Sequence, residues 1–306
     1  MESFTEKLSR PGKSYANPIE EITDLCGLRV ILYYQEDVDS FCDAIRREFL
    51  VDDMRSVDKR HQLRSDQFGY ISVHLICRLN SNRSSLLEWS PYANLNIEIQ
   101  VRTVLQHAWA SISHALQYKN QADIPDQFVR QLTRVSGLLE LSDEQFSDLR
   151  RKTEALRSEI SLSLNKNDLN VVINFVALKE FTDSSSVVAE IETNAREAGL
   201  GVDEDSDPAQ LVAVCNGLSV ATLDQLNEIL ASFVKHALKF FQHFMKLEVM
   251  GEMSPKIING SRGHWCAVAV VAMKHKSSSL AFIEKEDIWD SEYLSNVVNA
   301  AKHTRV

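Results

Sequence analysis

Glu98, Gln100 and Arg102 are spaced two apart in the segment Asn94-Leu95-Asn96-Ile97-Glu98-Ile99-Gln100-Val101-Arg102. Side chains alternate across a strand, so this spacing puts a carboxylate, an amide and a guanidinium on one face. Leu95, Ile97, Ile99 and Val101 share the other. That is more chemistry than a solvated sheet face needs, and it suggests a sheet used as a reaction floor. Gly69-Tyr70-Ile71-Ser72-Val73-His74-Leu75 repeats the pattern, with Tyr70, Ser72 and His74 on one side. A ring beside a hydroxyl and an imidazole suits a nucleobase, which stacks on the ring and is read at its edges. Taken alone, an exposed face of ordinary β formers is the simpler reading. Asp24-Leu25-Cys26-Gly27-Leu28-Arg29 places a carboxylate just before a predicted central strand and Arg29 on it. Asp24 and Glu98 together could hold one Mg²⁺, which takes one or two carboxylates plus substrate phosphates. An Asp before a strand is also a common turn residue. His107, Ser111, His114 and Tyr118 lie on one side of a helix opening at Thr103, but neither HExxH nor a cysteine pair supports zinc.

These residues need elements to hold them. Leu28 to Tyr34 reads as a strand, Val38 to Phe49 as an amphipathic helix, and further strands are expected near 54–58, 71–79 and 94–102. That order is an α+β pattern. Thr103 with Gln106 makes a capping box, and 126–164 is helical, its Arg150-Arg151-Lys152 run reading as a solvated face. Beyond Asn165 helical periodicity dominates, so we expect a domain over 1–164 and a mainly α-helical accessory domain over 165–306. There, His236 and His243 read as surface or packing residues, and Asn259 to Gly263 as a loop before a small-residue helix.

The 306-residue chain carries a net charge of -10, which argues against a general nucleic-acid coat. Five scattered cysteines without CxxC read as reduced thiols. No apolar run approaches a membrane span and Met1-Glu2-Ser3-Phe4 opens no signal peptide, so a cytoplasmic protein without membrane contact is expected. Gly12-Lys13-Ser14 is not a P-loop, because the leading glycine would fall at Lys7.

Taken in order, Asp24-Leu-Cys-Gly-Leu-Arg29, Gly69-Tyr70-x-Ser72-x-His74, Glu98-Ile-Gln100-Val-Arg102-Thr103, His107-x-Trp109 and His114-x-x-x-Tyr118-Lys119 resemble the synthetase domain of the RelA/SpoT family. The resemblance spans about residues 3–120. It implies a mixed β-sheet flanked by helices, a nucleotidyltransferase-like synthetase fold, with the site on an open sheet face. It also implies transfer of the β,γ-pyrophosphate of ATP to the 3′-hydroxyl of GDP or GTP, making alarmones. By position, Asp24 would ligate Mg²⁺, and Glu98 would deprotonate the 3′-hydroxyl and touch metal. Tyr70 would stack on guanine, while Ser72, His74, Gln100 and Arg102 line the acceptor side with His107 among the substrate-binding residues. Lys7, Arg29 and Lys59 would neutralise ATP phosphates. The family's Arg-x-Lys pair ahead of the residue matched by Lys7 is missing, so a truncated start or weakened ATP binding is expected. No His-Asp dipeptide marks a hydrolase domain. Two other readings stay open: a toxic relative acting on the tRNA 3′ end, and a non-catalytic nucleotide-binding module. A homo-oligomer is compatible with all three.

Overall fold

The computed structural model describes residues 4, 8, 14–61, 72–116, 126–203, 206–249, 258–276 and 280–305. It divides into two compact units, 1–151 and 152–306. The first is a mixed sheet flanked by helices and the second is mainly helical.

In the first unit a short helix α1 (Pro18–Glu21) precedes β1 (Cys26–Leu32), α2 (Gln35–Glu48), β2 (Phe49–Val51), β3 (Val57–Asp58), β4 (Val73–Leu79), a short α3 (Ser81–Ser84) and β5 (Ile97–Thr103). Helices α4 (Val104–Leu116) and α5 (Asp126–Asn165) follow, the second running across the division between the units. The sheet order is β1-β5-β4-β2, with β3 pairing β4. β1 and β5 run parallel, and β4 is antiparallel to β5 and to β2. One sheet face is apolar. Val73, Leu75 and Cys77 of β4 and Ile99 and Val101 of β5 pack on Val38, Cys42 and Ile45, which share one face of α2 at i, i+4, i+7. Covering that face obliges the alternate residues of the same strands to point the other way.

Several boundaries differ from the sequence reading: β1 covers Cys26–Leu32 rather than Leu28–Tyr34, and α2 starts at Gln35 rather than Val38. The helix stops at Glu48 because Phe49, Leu50 and Val51 are β formers that pair with β4. The strand expected over 54–58 shrinks to Val57–Asp58. Asp52 takes hydrogen bonds from the Arg55 backbone (3.1 Å) and side chain (2.7 Å) and makes the intervening residues a turn. Finally, β5 starts at Ile97 rather than Asn94. Asn96 is buried and its Oδ1 accepts from Arg78 Nε at 2.8 Å, which leaves Leu95 outside the strand and 42% exposed instead of on the apolar face.

The capping box forms as expected. The Gln106 backbone donates to Thr103 Oγ1 (3.2 Å), and the Thr103 backbone donates to Gln106 Oε1 (3.0 Å). Arg150, expected on a solvated face, instead donates to Asp37 at 2.7 Å and lies 4.6 Å from the Tyr34 ring centroid, holding α5 to the start of α2.

The second unit packs α6 (Phe175–Ser184), α7 (Ser186–Glu197), α8 (Ala209–Gly217), α9 (Leu223–Val234) and α10 (Ala237–Val249) with α11 (Arg262–Lys274), α12 (Ala281–Lys285) and α13 (Ser291–Thr304). The small-residue helix α11 is its centre, and Trp265 to Ala272 are buried throughout. Before it, Asn259–Gly260 is not a loop but a two-residue strand parallel to Gly201–Val202, and Ser261 caps α11. Gly263 allows the approach of that helix: a Cβ there would sit 2.3 Å from the Asp207 carbonyl oxygen. His243 stacks on His303 at 3.8 Å between ring centroids, a packing role.

Candidate active site

The apolar face of the sheet belongs to α2, so the residues between its core positions form the floor of a site. Register places them in rows. Gly27 of β1 neighbours Glu98 of β5, Arg29 neighbours Gln100, and across the sheet Gln100 neighbours His74 of β4. Three predicted site residues thus stand side by side on three adjacent strands. The side chains bond accordingly. His74 Nδ1 is 2.8 Å from Glu98 Oε1, and Gln100 Nε2 donates to Glu98 Oε2 at 3.0 Å. A carboxylate only accepts, so His74 Nδ1 donates to Glu98, and Nε2 meets the Ser72 hydroxyl at 2.7 Å. Both Glu98 oxygens are therefore oriented by donors on neighbouring positions.

A cleft of about 700 Å³ lies over this floor, lined by Arg29, Lys59, His74, Gln100 and Arg102 from the sheet side and by Trp109, Ser111 and His114 of α4. Lys59 follows β3, and its backbone N–H bonds to the Ser72 carbonyl at 3.1 Å, which sets it against the end of β4. Arg60, beside it in sequence, turns away to Asp58 and Asp39. Arg102 is buried at the end of β5. His107 has its pKa lowered by burial and then by the guanidinium charges of Arg102 and Arg29, so it is held neutral next to the cationic end of the cleft.

The structure brings most of the predicted residues together. Arg29, Lys59, His74, Gln100 and Arg102 share the cleft, Glu98 is bonded to His74 and Gln100, and His107 feels two of the arginines. Ser72 is buried and acts behind His74 rather than on the open floor. Asp24 lies outside the strand, in the turn leading into β1, three residues ahead of Gly27. At roughly 3.5 Å per residue its Cα is within about 11 Å of Gly27, the strand neighbour of Glu98. Lys7 and Tyr70 lie outside the described residues, as do Tyr118 and Lys119. Among the described residues no cluster of three or more His, Cys, Asp or Glu could hold a metal by itself.

Sequence reasoning left Trp109, Ser111 and His114 out of the site, although the shared helix side of Ser111 and His114 gave a signal for those two. It also missed the brace behind the elbow between β5 and α4. Thr103 Oγ1 donates to Asp143 Oδ2 of α5 at 2.7 Å, and Gln106 Nε2 donates to Gln35 Oε1 at 2.9 Å. No local pattern announces partners 40 and 71 positions away.

Comparison with known proteins bears on the same residues. Residues 1–123 match the sequence model described as "Region found in RelA / SpoT proteins". The chain is 29% identical over 145 residues to the GTP pyrophosphokinase YjbM of Bacillus subtilis, covering 47% of this chain and 64% of that protein. It is 26% identical over 157 residues to the GTP pyrophosphokinase YwaC of the same organism, covering 50% and 71%. Among solved structures, small alarmone synthetase 1 from Bacillus subtilis matches at 27% identity over 50% of this chain and 74% of that one, with a TM-score of 0.40. The matched segment 1–123 contains the cleft residues from Arg29 to His114.

Proposed function

We propose that the protein is a pyrophosphokinase that moves the β,γ-pyrophosphate of ATP to the 3′-hydroxyl of GDP or GTP. The observation that carries this reading is Glu98, held by His74 and Gln100, which line a cleft together with Arg29, Lys59 and Arg102. The match of residues 1–123 to a RelA/SpoT region and the GTP pyrophosphokinase names of YjbM and YwaC support it.

Pyrophosphoryl transfer asks the protein for charge neutralisation and alignment more than for covalent help. Arg29 and Lys59 supply cations for the triphosphate, and Arg102 sits deeper, on the acceptor side with neutral His107. Glu98 takes the proton of the 3′-hydroxyl as its oxygen attacks the β-phosphorus, and AMP leaves. His74 and Gln100 keep the carboxylate in one orientation, which is worth most when the acceptor must be met at a fixed angle. Tyr70 is the residue proposed to stack on guanine, and Lys7 a further phosphate contact. Asp24 and Glu98 are the oxygen donors that would hold Mg²⁺, which when bound supplies positive charge beside the phosphates. The second unit contributes none of these residues, and we read 165–306 as accessory to the reaction. Among the described residues no helix is long and apolar enough to cross a membrane, and the cytoplasm, where ATP and GTP are found, is the proposed location.

The experiment is incubation of the full chain with Mg²⁺ and ATP labelled at the γ-phosphate, in parallel with GDP, GTP and deacylated tRNA. Label on GDP or GTP is the expected result. Label on tRNA alone transfers the same chemistry to another acceptor and overturns the guanosine reading. No label on any acceptor overturns catalysis.

A further inference from the structure

Ser72 is 1% exposed at the entry to β4, too deep to meet a substrate, yet its main chain and its side chain both engage residues of the site. Its carbonyl accepts the Lys59 backbone N–H at 3.1 Å, and its hydroxyl lies 2.7 Å from His74 Nε2. On the far side of that imidazole, Nδ1 is 2.8 Å from Glu98 Oε1. Hydroxyl, imidazole and carboxylate in a row have the order of a hydrolytic triad. Burial excludes a nucleophilic serine, because no acyl or phosphoryl group can reach the hydroxyl. The row runs the other way, with the serine serving the carboxylate.

Counting protons shows how. Glu98 is an acceptor only, so His74 Nδ1 is a donor. The Ser72 hydroxyl brings one proton of its own, and among the described residues its one hydrogen-bond partner is His74 Nε2. If Nε2 also carried a proton, it would donate to Ser72 Oγ. The hydroxyl proton would then be buried with no acceptor, the arrangement that folded proteins avoid. The satisfied arrangement has the hydroxyl donating to Nε2 and a neutral imidazole with its one proton on Nδ1. The opposite tautomer would set the Nδ1 lone pair against Glu98 Oε1. Two acceptors at 2.8 Å repel, and the carboxylate would turn away.

We propose that Ser72 is a positioning residue: its buried hydroxyl fixes the His74 tautomer that donates to Glu98, and through it the orientation of the catalytic carboxylate. The effect on turnover rests on the pyrophosphokinase reading, whereas the tautomer is a property of the resting protein. Ser72 also divides its work between the two substrates. Its main chain steadies Lys59 on the ATP side, and its side chain steadies Glu98 on the acceptor side. A substitution of the side chain removes the second and keeps the first.

The test is nitrogen NMR of the full chain with isotopically labelled histidine rings, at neutral pH without substrate, beside steady-state kinetics with Mg²⁺, ATP and GDP. His74→Gln identifies the His74 signals by their loss. In the wild type the His74 ring is expected to show a protonated Nδ1 and a bare Nε2. Ser72→Ala, which keeps the carbonyl that Lys59 uses, is expected to show both tautomers in exchange, with an unchanged melting temperature. Its kcat should fall about tenfold, as a loosened catalytic group requires, while its KM for ATP stays at the wild-type value. A wild-type ring protonated on Nε2 alone or on both nitrogens would overturn the proposal. So would a Ser72→Ala variant with the wild-type ring pattern or the wild-type kcat, or one whose KM for ATP rises as kcat falls. A wild type with the expected tautomer and no turnover on any acceptor would uphold the hydrogen-bonded row and overturn the pyrophosphokinase reading alone.

Discussion

Nδ1 of His74 lies 2.8 Å from Oε1 of Glu98, and the two residues come from neighbouring antiparallel strands, 24 positions apart in sequence. Gln100 holds the other oxygen, so the carboxylate is oriented before any substrate arrives. Replacing Glu98 by Gln keeps the size and an acceptor for His74 but removes the base. The expected loss in kcat is about 10²–10⁴-fold with an unchanged melting temperature. A collapsed melting profile would make Glu98 structural.

His74→Ala should free the carboxylate to rotate, lowering kcat by more than it raises KM. His74→Gln, which can still donate to Glu98, should recover part of that loss. If both variants behave alike, the hydrogen bond to Glu98 does not position the base.

Arg29 and Lys59 reach the cleft from opposite sides of the His74–Gln100 row. Arg29→Gln and Lys59→Met are each expected to raise the KM for ATP about tenfold, or ~1.4 kcal/mol, since a charge-assisted contact to a phosphate is worth about that much. The wild-type KM should rise with added salt more steeply than those of the variants.

The brace behind the α4 cap has a pH signature. Burial raises the Asp143 pKa, partly offset by the Thr103 hydroxyl. A carboxyl whose folded pKa is raised binds protons more readily in the folded state, so its ionised form costs stability above the folded pKa and not below the unfolded one. Asp143→Asn, which still accepts from Thr103, should therefore be as stable as wild type or more so at neutral pH and lose that advantage in acid. Thr103→Ala removes the cap and strands a buried carboxylate, with an expected cost of about 2–3 kcal/mol in chemical denaturation.

In the second unit His264 is half-buried, with Nδ1 2.6 Å from Gln210 Oε1 and Nε2 2.7 Å from the Tyr293 hydroxyl. Burial takes its pKa down to about 4. The unfolded chain, near 6.5, binds the proton first, so the stability this residue protects is complete above pH 6.5 and falls as pH drops towards 4, by about 3 kcal/mol. The denaturation midpoint of this unit should follow that window, and His264→Gln should flatten it. An unchanged pH profile in the variant would show that another group titrates.

How much of this was legible beforehand depended on the range of each signal. Alternation fixed which residues of β4 and β5 face the site, because side-chain direction is set by neighbours two positions apart. The Thr103–Gln106 box was readable for the same reason. Boundaries were less so: Leu95 looked apolar and strand-like, yet β5 starts only at Ile97, after a buried Asn96 bonded to Arg78. Arg150 looked solvated, and only the fold shows Asp37 and Tyr34 beneath it.

Unaided, the order of residues along the chain determined the α+β class of the first unit, the helical character of the second, and the polar types at 29, 59, 74, 98, 100 and 102. The tertiary structure decided that β5 lies between β1 and β4, which turns those scattered types into adjoining rows. It also decided that Glu98 is gripped on both oxygens. Strand order and helix facing are settled by packing between segments far apart in sequence, and no local periodicity encodes a partner that distant.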